Sequence, residues 1–238
     1  MARELVFTAT YDEAANIESW IRQVAAHRPE ADMLIVDDSS PDGTADVIIG
    51  LQAEFPQVTL HSRSGKLGLS SAHLFAMTTA QEMGYDRLIT MDADGSHQPS
   101  QIGGLVDALG PAQFVIGTRT HGGTHQGTPM RRILSGGANT AARIILPMGL
   151  TEYTTSFRVF DREALTAVLA GEHRDSGYAF FIECLEDLHR AGIRMAERPI
   201  DFLDRAGGVS KIPRNQIWVS VGALARLGRQ RRFPERNR

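Results

Sequence analysis

The chain has little of several things, and each shortage closes off a class of function. One cysteine in 238 residues, Cys184, excludes an internal disulfide and fits a reducing compartment. No apolar run approaches 18 residues, so no membrane-spanning helix is written here. The first residues do not read as a secretory leader, and the expectation is a cytoplasmic protein. A net charge of −3 offers no global case for nucleic-acid binding. The two standard phosphate loops are missing. No Gly-x-Gly-x-x-Gly follows the first strand, and no Gly-x-x-x-x-Gly-Lys-Ser/Thr occurs, which argues against a dinucleotide or P-loop enzyme. With 42% hydrophobic residues the chain can nevertheless bury a full core.

What is present is organised around Leu88–His97. A short apolar run ends abruptly in Asp92 and Asp94, followed by Gly95, Ser96, His97 and Pro99. It has the length and composition of a buried parallel strand with a polar cluster just past its end. In open α/β sheets ligands bind at that edge. Carboxylates spaced i, i+2 there repel unless a cation lies between them, and Mg²⁺ takes one or two carboxylates plus phosphate oxygens. The competing reading is an acidic turn in which Asp94 or Ser96 caps the helix starting near Pro99.

Earlier in the chain, 5–9, 33–36 and 58–60 are apolar strands, each followed by a helical pattern. Beyond the acidic cluster come a helix near 102–109 and a strand at 114–119 that ends in the cation Arg119. Alternation of this kind predicts a doubly wound, mostly parallel sheet. The stretch 122–127, rich in glycine, reads as a mobile lid. Farther on, the patterns suggest helices at 131–146 and 178–191, a strand at 155–160 and an edge strand at 193–196. A loop at 199–211 precedes a helix at 216–227 running into a basic tail, where Arg226–Arg238 holds six arginines and one glutamate. That tail is either a solvated end or a contact for an anionic membrane surface. Cys184 and Trp20 read as core, and Trp218 as packing or lipid contact. His121 and His125 have a metal-ligand spacing only if helical, which their glycines oppose.

Three strand ends are polar in the same sense: Thr10-Tyr11-Asp12-Glu13, Asp37-Asp38-Ser39 and Asp92-Ala93-Asp94. With Asn16, Pro41-Asp42-Gly43-Thr44, Lys66-Leu67-Gly68-Leu69, Ser96-His97, Gly117-Thr118-Arg119, Ser156-Phe157-Arg158, Asp204-Arg205 and Ser210-Lys211, all in this order, they resemble the polyprenol (dolichol) phosphate mannose synthases. These are inverting family 2 glycosyltransferases, and the resemblance spans about residues 5–220. It implies a GT-A (Rossmann-like), mostly parallel α/β sheet with helices on both faces. It implies one domain over 1–228, a nucleotide part to about 120 and an acceptor part from about 121, with 229–238 as the tail. It also implies a nucleotide-sugar donor such as GDP-mannose, Mg²⁺ or Mn²⁺, a polyprenyl phosphate or other phosphorylated acceptor, and peripheral contact with the inner membrane face.

Carried over by position, the nucleotide pocket takes Thr10, Tyr11, Glu13, Asp38, Lys66 and Asp92. The metal takes Asp92, Asp94 and Ser96, and catalysis rests on Asp92, Asp94 and Arg119. The acceptor phosphate takes Arg119, Arg131, Ser135, Arg205 and Lys211. Departures from the family pattern are Ala9 for Pro, Ser39 for Gly or Asn and Gly95 for a bulky apolar residue. Three more, Glu152 for Asp, Ser156 for Gly and Phe181 for Gln, are expected on the acceptor side. A phosphate acceptor is already anionic and needs no general base, whereas a hydroxyl acceptor would need one, with Glu183 as candidate. A soluble acceptor and a non-catalytic sugar-nucleotide-binding subunit are the rival readings.

Overall fold

A computed structural model of the chain describes residues 2–120, 122–126, 129–173, 177–204 and 216–232. The elements in order are β1 (Glu4–Thr10), α1 (Ile17–His27), β2 (Asp32–Asp37), α2 (Thr44–Leu51), β3 (Val58–Ser62), α3 (Leu69–Glu82) and β4 (Arg87–Thr90). A 3₁₀ turn (Pro99–Gln101) leads into α4 (Ile102–Asp107), β5 (Phe114–Thr118), β6 (Thr124–His125) and α5 (Pro129–Ile145). Then follow β7 (Arg158–Asp161), α6 (Arg162–Leu169), α7 (Tyr178–Arg190), β8 (Met195–Pro199), β9 (Asp201–Phe202) and α8 (Gln216–Arg232).

Seven strands form one sheet in the order β3-β2-β1-β4-β7-β5-β8. All pair in parallel except β7, which runs antiparallel to both β4 and β5. Strand side chains alternate between faces. Leu5, Phe7, Leu34 and Val36 therefore enter one core, packed by α3, α6 and α7. Val6, Met33 and Ile35 enter the other, under α1, α2 and α4. The α/β sheet with helices on both faces stands as expected.

The strand order reverses between β1 and β4, and the crevice above that reversal opens at the C-terminal ends of both. The antiparallel β7 brings the start of its own strand to the same edge. Thr90 pairs with Arg158, so Asp92, two residues beyond the one, meets Ser156, two residues before the other.

Several boundaries differ from the sequence reading. β7 begins at Arg158, not Thr155, because Thr155 and Ser156 spend their polar groups on the neighbouring loop. The edge strand is β8, displaced to Met195–Pro199. The stretch 199–211 is not all loop, since Asp201–Phe202 pairs with Thr124–His125 in a small parallel sheet. The lid reading of 122–127 meets a close-packed Gly123, whose added Cβ would sit 2.2 Å from the Thr118 carbonyl oxygen and 2.8 Å from that of Ile200. α8 runs through Arg232, across the 228/229 line expected to separate domain from tail.

The C-terminal helix also spends its face differently. Leu224 and Leu227 are buried in the core. Arg226 pairs with Glu183, and Arg231 with Glu186 at 2.7 Å. Leu224, Leu227 and Arg231 are thus turned inward, and Glu183 is a paired structural acid. Among the described residues no helix is long and apolar enough to cross a membrane.

Candidate active site

β1 and β2 end in loops that bond to one another. The amides of Asp12, Glu13 and Ala14 donate to Ser40 Oγ, Thr44 Oγ1 and Asp42 Oδ2, each at 3.0 Å. Asp37 is buried and accepts from Thr10 Oγ1 at 2.8 Å and from the Ser40 amide at 2.9 Å. Asp12 and Ser39 both adopt φ 56° without being glycine. Such strain concentrates where the surrounding bonds over-determine the backbone, commonly at functional sites. Lys66, on the loop entering α3, lies 3.7 Å from the centre of the Tyr11 ring. The structure therefore brings Thr10, Tyr11, Glu13 and Lys66 to one edge of the sheet.

Asp38 is at that edge too, but its carboxylate is engaged. Arg63 pairs with it, and the Gly68 amide donates to it at 3.0 Å. Sequence reading missed Arg63, which follows the end of β3 as Arg119 follows the end of β5.

In the loop after β4, Asp92 keeps 42% of its side chain exposed, while its Oδ1 accepts from Ser156 Oγ at 2.6 Å. The Asp92 amide donates to His97 Nδ1 at 3.0 Å. His97 Nε2, 3.2 Å from Thr155 Oγ1, carries the proton in the tautomer that this bond demands. Burial lowers the His97 pKa, against the pull of Asp92 and Asp94, so the ring stays neutral. Asp94 is buried and accepts from the Ser96 amide at 3.0 Å and from Ser96 Oγ at 2.5 Å. Gln98, not Asp94 or Ser96, occupies the N-cap of the following turn and makes no side-chain cap bond. The capping reading of the acidic cluster therefore falls.

Two carboxylates with a hydroxyl suit a divalent cation that also holds a diphosphate. Among the described residues no group of three or more His, Cys, Asp and Glu side chains could hold a metal alone. A ligand set left to be completed by phosphate oxygens fits a metal that arrives with its nucleotide. His121 lies outside the described residues. His125 is in a strand, its ring 4.9 Å from that of Phe202, and the helical histidine pair does not form.

Arg119 leaves β5 toward the same edge. Its Nε and Nη2 donate to Glu152 at 2.9 and 2.8 Å, and Nη2 also donates to Thr154 Oγ1 at 2.8 Å. Glu152 is fully buried and also accepts from Asn139 Nδ2 at 2.9 Å and the Thr154 amide at 3.0 Å. Burial alone would raise its pKa. Arg119 first, then these hydrogen bonds, outweigh burial and hold it at about 2. Glu197 fixes the same loop by accepting the Thr151 and Glu152 amides, each at 2.7 Å.

Of the departures expected on the acceptor side, Glu152 is the partner of Arg119, and the register of β7 delivers Ser156 to Asp92. Phe181 is buried in the core, with the Arg158 guanidinium 4.7 Å over its ring and His73 edge-on at 4.9 Å. Arg131 and Ser135 lie on α5 with their side chains outside what is described, and Arg205 and Lys211 lie outside the described residues.

The profile of glycosyl transferase family 2 matches residues 5–169. The chain is 35% identical over 228 residues to the undecaprenyl-phosphate mannosyltransferase of Micrococcus luteus, covering 95% of this chain and 94% of that protein. It is also 35% identical over 230 residues to the polyprenol monophosphomannose synthase of Mycolicibacterium smegmatis, covering 95% and 87%. Among solved structures, mannosyl-3-phosphoglycerate synthase from Rubrobacter xylanophilus superposes with a TM-score of 0.69 at 19% identity, covering 100% of this chain and 77% of that one. Glucosyl-3-phosphoglycerate synthase from Mycobacterium tuberculosis, in complex with Mn²⁺, UDP and phosphoglyceric acid, gives 0.71 at 18% identity, covering 95% and 78%.

Proposed function

This chain belongs to glycosyl transferase family 2, and from that premise we propose that it moves mannose from GDP-mannose to polyprenyl phosphate with inversion. The observation that carries the reading is the Asp92–His97 loop at the strand-order reversal, with Asp92 half-exposed and its loop clasped from behind. The two named mannosyltransferase relatives, alike over almost the whole chain, supply the sugar and the acceptor class.

Thr10, Tyr11, Glu13, Asp38 and Lys66 form the nucleotide side, and Asp92, Asp94 and Ser96 would hold Mg²⁺ or Mn²⁺. When bound, the metal neutralises the charge that grows on the leaving diphosphate. An oxygen of the acceptor phosphate attacks the anomeric carbon, the bond to the diphosphate breaks, and GDP leaves with the electron pair. The attacking phosphate is already an anion, so this chain need only bind and aim it. Arg119, held on Glu152, with Arg131, Ser135, Arg205 and Lys211, are the groups assigned to that task.

The test is GDP release and product mass from protein, Mn²⁺ and GDP-mannose, with and without a short polyprenyl phosphate. Release that depends on the lipid phosphate is the expected result. A soluble phosphorylated acceptor is the second reading, favoured by the inward packing of Leu224, Leu227 and Arg231. Liposome flotation separates the two: binding to anionic vesicles that weakens with salt supports the lipid acceptor. Failure to float at low salt, with turnover on a soluble phosphate ester, replaces it.

A further inference from the structure

Thr155 and Ser156 are neighbours in sequence, and they grip opposite ends of the loop that carries both acidic residues. Thr155 Oγ1 meets the ring of His97, and Ser156 Oγ donates to Asp92 Oδ1. The backbone between them is held by other bonds. Thr90 Oγ1 donates to the Ser156 carbonyl at 2.5 Å, Arg158 Nε donates to that of Thr155 at 2.8 Å, and the Gly117 amide to that of Phe157 at 2.9 Å. Ser156 itself is buried, and its φ is not positive, so nothing in the backbone asks for glycine. What remains adjustable at Ser156 is a single side-chain rotor, and that rotor points its hydroxyl at one oxygen of Asp92.

We infer that Ser156 is a positioning residue. Its hydroxyl engages Asp92 Oδ1 and so fixes which carboxylate oxygen faces the diphosphate and its metal. The inference rests on the metal-dependent donor reading above and deepens it. A carboxylate with a free torsion must be ordered each time metal and nucleotide arrive, whereas one anchored through a buried hydroxyl is ordered in advance. Partners that orient metal-ligating groups typically change metal affinity by about 10–100-fold when removed.

The experiment is a Mn²⁺ titration followed by the electron paramagnetic resonance of the free ion, with GDP present, on wild type, Ser156→Ala, Ser156→Gly and Ser156→Thr. Thermal unfolding of each variant is measured alongside. Wild type is expected to bind Mn²⁺ with GDP. The Ala and Gly variants should bind about tenfold more weakly, and Thr, which keeps a hydroxyl, should return to within about threefold of wild type. In turnover, the Mn²⁺ concentration for half-maximal rate should rise in the Ala variant while KM for the acceptor stays put. Ala and Gly variants that fold and bind Mn²⁺ as tightly as wild type overturn the positioning role. So does a Thr variant as weak as Ala. If wild type itself takes up no Mn²⁺ with GDP, the donor reading fails first and the inference falls with it.

Discussion

Two regions of the molecule handle charge in different ways. At the ends of β2 and β4 and in the loops that follow, Asp37, Asp42, Asp92 and Asp94 take hydrogen bonds from hydroxyls and amides, and Asp38 pairs with Arg63. From the end of β5 to α7 and α8, cations meet carboxylates inside the protein: Arg119 with Glu152, Arg226 with Glu183, Arg231 with Glu186. A hydroxyl or amide orients a carboxylate without supplying a full counter-charge, whereas an internal ion pair fixes both partners and balances them. In the proposed function the acidic strand ends meet the metal and diphosphate, and Arg119 on its buried carboxylate meets the acceptor phosphate.

The largest effect should come from breaking the hydrogen-bonded carboxylates at the strand ends. Asp94→Ala should lower Mn²⁺-dependent turnover about 10⁴-fold, roughly 5–6 kcal/mol of transition-state stabilisation, while thermal unfolding stays cooperative. Normal turnover by that variant would mean the acids are not the site of the chemistry.

Next is the ion-paired region. Glu152→Gln removes the buried carboxylate that Arg119 pairs with, which should cost about 3 kcal/mol or more in denaturant unfolding. The sign of the pH dependence follows from the lowered pKa. The pair's contribution is fully present above the ordinary carboxyl value of 4.5 and is lost as pH falls toward about 2. The variant should lack that acid limb; an unchanged limb would refute the pairing.

A sharper probe of the proposed acceptor assignment is Arg131→Ala. It should raise KM for polyprenyl phosphate about tenfold, near 1.4 kcal/mol, and leave GDP affinity unchanged. Loss of GDP affinity instead would put Arg131 on the donor side.

A separate effect, on stability and not on turnover, concerns His73, buried among Phe7, Phe180 and Phe181. Burial, with help from Arg158, lowers its pKa to about 3. Below pH 6.5 the unfolded chain takes up a proton that the folded one refuses, so stability declines from pH 6.5 toward 3. His73→Leu should flatten the decline between pH 6.5 and 4.5, read as Tm against pH.

Much of the acidic edge was legible because its carboxylates lie at or just past the ends of strands that their own sequence announces. Asp92 and Tyr11 follow apolar runs, Asp37 ends one, and parallel pairing carries these ends to one edge. Ser156 was not legible. It lies 64 residues from Asp92, and only the antiparallel insertion of β7 brings the two together. The helix at 216–227 was visible from its apolar spacing, but which neighbour its arginines would meet was not. Helical periodicity reports a face and is silent on whether that face turns toward α7 or toward lipid. Arg63 was missed for another reason: a lone arginine past a short strand looks like any solvated cation until Asp38 is placed beside it.

Cys184 has a practical consequence. It is the chain's single thiol, it lies free and fully buried on α7, and burial pushes its pKa well up. Thiolate reagents act on exposed, ionised sulfur, so the native protein should remain unmodified by a maleimide while folded. A cysteine introduced at an exposed position would then carry the only label, and spin or fluorescence probes could be placed on either wall of the crevice without first removing the native residue.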